Sequence, residues 1–174
     1  MKCLISSLFV AVAVLVSGCE LSEESNSPEA EVGNESDLMQ GVVTYIVDGD
    51  TFDVELDSGE TERIRPILVD APEICHKSSP ADCEPEPYGE EASIFAEELL
   101  LDQTVYLEQD VSETDRYDRV LAYVYLENGD MFQELLLAEG LAEVAVFPPD
   151  VKYQAELEEV ELKAKENGVG IWSD

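Results

Sequence analysis

Positive charge is what this sequence most lacks: nine Lys+Arg stand against 41 Asp+Glu, for a net charge of −32. Non-specific affinity for nucleic-acid phosphates comes mainly from cationic side chains, so the balance excludes a broad basic binding face. A local one is still open, because repulsion between exposed carboxylates and a polyanion is screened within ~8 Å at physiological ionic strength and ~3 Å at 1 M. Acidity of this degree reads as adaptation to saline surroundings. Histidine is nearly absent too, with His76 alone, and there is a single tryptophan. A closed zinc centre wants four protein ligands, which His76 with the nearby Cys75 and Cys83 does not supply.

Long apolar runs are missing as well. The stretch from Leu4 to Val16 follows Lys2 and suits the apolar region of an export signal, but is short for a membrane span. It ends in Val16-Ser17-Gly18-Cys19, which resembles a bacterial lipobox. Residues 1–18 then read as a signal peptide and Cys19 as the lipidation point; the rival is an ordinary secretory signal with a cysteine nearby. Residues 19–40 are acidic, contain Pro28 and have no aromatic between Glu20 and Leu38, so they read as a flexible tether. The implied address is extracytoplasmic, lipid-anchored to an envelope membrane. With Cys3 in the signal and Cys19 acylated, Cys75 and Cys83 remain, and an oxidising compartment favours their pairing over a metal site.

Residues 41–174 read as one folded domain. Phe52, Val54 and Leu56 alternate with Asp53, Glu55 and Asp57, the period of a half-buried strand. Val42–Val47 and Arg63–Val69 flank it through the turns Asp48-Gly49-Asp50 and Asp57-Ser58-Gly59-Glu60. Helical spacing follows over Glu90–Leu101, then strands around Val105 and Leu107 and over Arg119–Leu126. A second helix is expected over Met131–Glu139, stopped by Gly140, and a third over Val151–Asn167 with Asp150 as N-cap. The class is α+β, mainly β: a five-stranded, partly open Greek-key barrel of the OB type with three helices.

Charge clusters sit at the turns. Asp48-Gly49-Asp50-Thr51 joins two strands, Arg65 leads into Asp70-Ala71-Pro72-Glu73, and Asp115-Arg116-Tyr117-Asp118-Arg119 precedes the last strand. Each admits a plain structural reading. The aspartates serve as turn residues, Arg65 pairs with Glu62 or Asp70, Arg119 pairs with Asp115, and Tyr117 belongs to the core. With Pro87-Tyr88-Gly89-Glu90-Glu91-Ala92 and Gly170-Ile171-Trp172, however, these motifs resemble, in order and spacing, those of the staphylococcal nuclease (thermonuclease) family.

The resemblance implies the OB-type barrel and calcium-dependent hydrolysis of DNA and RNA at the 5′-oxygen, leaving 3′-phosphates. It implies Ca²⁺ held by Asp50, Asp70 and the Ala71 carbonyl, Glu73 acting on the attacking water, Arg65 and Arg119 on the scissile phosphate, and Tyr117 along the nucleotide pocket. The expected partners are nucleic acid and, through the lipid, a membrane; no obligate protein partner is evident. A non-catalytic binding module on the same barrel is the rival, and retention of Asp50, Asp70, Glu73, Arg65 and Arg119 speaks against it. Three departures stand out. Pro66 follows Arg65 where leucine is usual, Asp118 replaces a glycine and is placed to compete for Arg119, and Val144–Pro149 lacks the family's stacking tyrosines.

Overall fold

The computed structural model describes residues 38–173. The expected signal segment, Cys19 and all but residues 38–40 of the expected tether lie outside them. In chain order the described elements are β1 (Met39–Asp48), β2 (Thr51–Leu56), β3 (Thr61–Pro66), β4 (Val69–Asp70), α1 (Gly89–Leu100), β5 (Thr104–Glu108), β6 (Val120–Leu126), α2 (Phe132–Ala138), β7 (Glu143–Val144) and α3 (Gln154–Asn167), with a final 3₁₀ turn over Gly170–Trp172.

Five strands close a barrel in the order β1-β2-β3-β6-β5, with β1 also bonded to β5. The barrel is closed rather than partly open, and β1 is the reason. Its first residues pair with β5, Met39 opposite Leu107 and Gln40 opposite Tyr106, while its remainder pairs with β2. Register shifts between Val43 and Tyr45 and between Ile46 and Asp48 bend the strand enough to serve both neighbours. The ladder consequently begins two residues before Gly41. Within the barrel β3 and β6 run parallel and the other pairs antiparallel, and β4 and β7 form a separate two-stranded sheet.

The expected strand Arg63–Val69 is broken in two. Pro66 has no N–H to continue the ladder, and Leu68 takes a left-handed φ of 65°, which turns the chain from the barrel into β4. That conformation costs a branched residue roughly 1–2 kcal/mol. Leu68 sustains it by burying its side chain while its carbonyl accepts from the Ala145 N–H at 3.0 Å.

Val43, Phe52, Val54, Ile64, Leu107 and Val124 fill the barrel, and α1 seats Ala92, Ala96 and Leu100 against it. Phe132 of α2 meets Phe52 edge-on, ring centroids 5.9 Å apart. Asp150 does not cap α3, which starts later, at Gln154 after Tyr153. Its buried carboxylate instead accepts from the Val111 and Ser112 N–H groups at 3.0 and 2.8 Å. It is the buried Asp150 carboxylate that needs these partners, since a buried charge left without hydrogen bonds costs more than a frayed helix end.

Candidate active site

The β1–β2 hairpin places the first carboxylates. Gly49 lies so close to α1 that a Cβ there would stand 2.7 Å from that of Ala92 and 2.9 Å from that of Ala71. The turn is therefore pressed between the helix and the chain after β4. Asp48 Oδ1 accepts the Asp50 N–H at 3.1 Å. Asp50 is only 7% exposed: its Oδ2 accepts the Ala71 N–H at 2.7 Å, and its Oδ1 accepts the Thr51 hydroxyl at 3.2 Å. Burial dominates its titration and pushes the carboxyl up to about 6 against the pull of Arg65.

Arg65 reaches into the same spot. Its guanidinium donates to Asp70 Oδ1 at 2.6 Å and to the Val69 carbonyl at 2.6 Å, and lies 3.3 Å from Asp50 Oδ2. The pairing with Asp70 foreseen on structural grounds is thus present, extended to Asp50. Ala71 is buried, and Glu73 follows on the exposed side of the turn. The Glu73 N–H donates to the Glu86 carboxylate at 3.0 Å, and the Glu86 N–H returns to the Glu73 carbonyl at 2.9 Å. Gly89 packs its bare Cα over this point, where a Cβ would come 2.7 Å from the Glu73 carbonyl oxygen. Burial, then the Asp50, Asp70 and Glu86 carboxylates, raise the Glu73 pKa. Cys75 and Cys83 are joined as a disulfide across the loop that follows, Cα atoms 6.0 Å apart.

Across the opening, Arg119 is held by Asp115 through Nε at 2.8 Å and Nη2 at 2.7 Å, and its Nη1 donates to Thr51 Oγ1 at 3.3 Å. Burial works against the Asp115 charge, but the Arg119 and Tyr117 N–H groups and the guanidinium outweigh it and hold the carboxyl below its ordinary value. Tyr117 is no core residue: it is 63% exposed, with the Arg116 and Arg119 guanidinium carbons 4.7 and 5.5 Å from its ring centre. A cleft of about 460 Å³ takes in Arg65, Asp70, Arg116, Tyr117, Arg119 and Phe147. Three of the four arginines in a chain of net charge −32 line this one cleft.

Residues 63–174 match the family model described as staphylococcal nuclease homologue. The chain is 37% identical over 168 residues to the thermonuclease of Staphylococcus hyicus, an alignment covering 96% of this chain and 95% of the relative. The chain belongs to the staphylococcal nuclease family. It is a thermonuclease-family nuclease, also 39% identical over 131 residues to the thermonuclease of Staphylococcus intermedius, with 75% and 74% covered. To endonuclease YncB of Bacillus subtilis (strain 168) it is 38% identical over 159 residues, with 87% and 72% covered.

Three details of this nuclease lie beyond what its sequence suggested. Thr51 is buried and links the two arginines, receiving from Arg119 and donating to the carboxylate that faces Arg65. Its position beside Asp50 in the hairpin motif was the signal available. Phe147, 72% exposed, offers an aromatic wall to the cleft in the segment without tyrosines. Asp118, expected to compete for Arg119, makes no ion pair with it; Asp115 holds the guanidinium instead. Asp118 sits at φ 61°, the backbone state that explains a glycine at this position.

Asp50, Asp70 and the Ala71 carbonyl are hard oxygen donors of the kind that could hold a calcium ion, and the Arg65 guanidinium lies between the two carboxylates.

Proposed function

We propose that this nuclease is calcium-dependent, that it hydrolyses DNA and/or RNA to leave 3′-phosphates, and that a lipid on Cys19 holds it at the envelope. The observation that carries the catalytic part is the convergence of Arg65, Arg116 and Arg119 on one cleft that Asp70 also lines, with the Asp50 carboxylate 3.3 Å from the Arg65 guanidinium. An overwhelmingly anionic protein that gathers its few guanidinium groups in one place has built a seat for a phosphate. The disulfide fits an oxidising compartment outside the cytoplasm.

In this reading Arg119, already oriented by Asp115 and Thr51, grips the scissile phosphate, and Arg65 exchanges its carboxylate partners for a phosphoryl oxygen. Bound Ca²⁺ supplies positive charge for the oxygens that gain negative charge in the transition state. Glu73, whose raised pKa makes it the better proton acceptor, takes a proton from the attacking water. The new P–O bond forms as the bond to the 5′-oxygen breaks. That oxygen leaves with a proton taken from solvent, Glu73 returns its own proton to solvent, and the phosphate stays on the 3′ side. Tyr117 and Phe147 offer faces for a base, each such stack being worth about 1–3 kcal/mol.

Purified protein incubated with plasmid should cleave it with Ca²⁺ and stop when chelator is added. Glu73→Gln should remain folded by circular dichroism and lose roughly 10²–10⁴-fold in turnover. Near-normal cleavage by Glu73→Gln, or cleavage indifferent to chelator, sinks the mechanism. Intact mass of membrane-extracted protein decides the anchor, since an unlipidated chain starting elsewhere than Cys19 removes it.

A further inference from the structure

Beside the oxygen-lined calcium cradle stands a second group of different chemistry. One carboxylate oxygen from Asp48, one from Glu73 and one ring nitrogen of His76 all lie within 4.8 Å of one another. Among the described residues this is the one set of three such side chains so gathered, and it uses the chain's only histidine. His76 Nε2 faces Asp48 Oδ2 at 3.8 Å. Ligand atoms around an ion with bonds of about 2.0–2.2 Å stand roughly 3–3.5 Å apart, so closure needs movements of an ångström or so by side chains that reach solvent.

The three positions are fixed from behind. Asp48 spends Oδ1 on the Asp50 N–H and leaves Oδ2 toward His76. The Glu73 backbone is fastened by two bonds to Glu86, its N–H donating to the Glu86 carboxylate and its carbonyl accepting the Glu86 N–H. His76 follows the disulfide-bonded Cys75, and its N–H and carbonyl are both tied to Ser79, through the hydroxyl and the N–H, each at 2.9 Å.

One imidazole and two carboxylates make a donor set for a borderline transition cation, whereas an all-oxygen set suits calcium. We propose that Asp48, Glu73 and His76 bind a divalent transition ion such as Zn²⁺, separately from the calcium cradle, and that its binding switches the nuclease off by taking Glu73 as a ligand. With three protein ligands the ion keeps water in its remaining positions. The carboxylate that binds the ion no longer accepts the proton of the attacking water, so occupancy and turnover exclude each other. This inhibitory half rests on Glu73 being the base; the binding half does not.

The test uses Zn²⁺ alone on the purified full chain at saturating Ca²⁺, by calorimetry and by the ring signals of the single histidine in NMR. Wild type should take up one Zn²⁺ with a shift of the His76 ring signals. His76→Gln should bind at least about 100-fold more weakly, since loss even of an outer partner of a metal ligand costs 10–100-fold. In parallel, Zn²⁺ should suppress wild-type cleavage, while His76→Gln keeps its Ca²⁺-dependent turnover and resists inhibition by a similar factor. Unchanged Zn²⁺ affinity in His76→Gln, or ring signals that never move, overturns the site. Binding through His76 with turnover unaffected overturns the inhibitory half alone. A chain with no nuclease activity at all defeats the proposed function, and calorimetry then still decides the site.

Discussion

Arg65 has two claims on it. Its guanidinium bridges Asp50 and Asp70, the carboxylates assigned to calcium, yet the proposed chemistry needs it on phosphate. Arg65→Ala should therefore separate two quantities that usually fall together. Turnover should drop by roughly 10²–10³-fold through loss of a donor aimed at transition-state charge. Calcium affinity measured without substrate should rise, because a competing cation has gone. Calorimetry beside steady-state kinetics checks this, and a weaker calcium affinity in the variant contradicts it. Asp118 tells the opposite story, a side chain that does little from an awkward backbone. Since it holds φ at 61° without touching Arg119, Asp118→Gly should stabilise the fold by up to about 1 kcal/mol in thermal denaturation and leave substrate affinity nearly unchanged.

Where elements meet, β5, β6 and the turn that leads into α3 converge on one buried acid. Glu108 accepts the Tyr125 and Tyr153 hydroxyls, each at 3.0 Å, and pairs with the Lys152 ammonium. Burial opposes its charge, but the hydrogen bonds from Lys152, Tyr125 and Tyr153 prevail and lower its pKa below the ordinary 4.5. A depressed carboxyl contributes stability that is complete above the unfolded value and lost as the pH falls through the folded one. Glu108→Gln should thus cost about 1–3 kcal/mol at neutral pH and flatten the acid limb of the stability curve below about pH 4.5. Urea titrations at pH 7 and pH 4 give the comparison; equal losses at both would contradict it. No sequence pattern announced this cluster, because Glu108 ends one strand and its partners come from two distant segments. The barrel itself was legible: the alternation around Phe52 and the spacing of Ala92, Ala96 and Leu100 report burial directly. Less visible was what depends on partners far along the chain. The break at Leu68, the closure through Met39 and Gln40 and the use of Asp150 as a loop clamp all belong there. Of the motif residues, Arg65, Asp70, Tyr117 and Arg119 line one cleft, and that Thr51 ties the two arginines together follows only from the folded geometry.

Taken whole, the molecule is a polyanion that must meet a polyanion. At low ionic strength the net charge of −32 repels substrate, and the cleft is where three of the four arginines are gathered against that repulsion. Initial rates at saturating Ca²⁺ should rise with added salt before falling, as screening shortens the repulsion to the dimensions of the cleft rim. A rate that declines steadily from the lowest salt upward would show that encounter is not limited in this way. The loop closed by Cys75 and Cys83 bears on resistance to proteolysis. Lys77, Ser78, Pro80, Ala81 and Asp82 are all exposed, and a protease that nicks the chain there leaves both pieces joined by the disulfide, the barrel strands uncut and Glu73 still bonded to Glu86. Such damage divides the polypeptide without dividing the molecule, because the two pieces stay covalently joined until that bond is reduced.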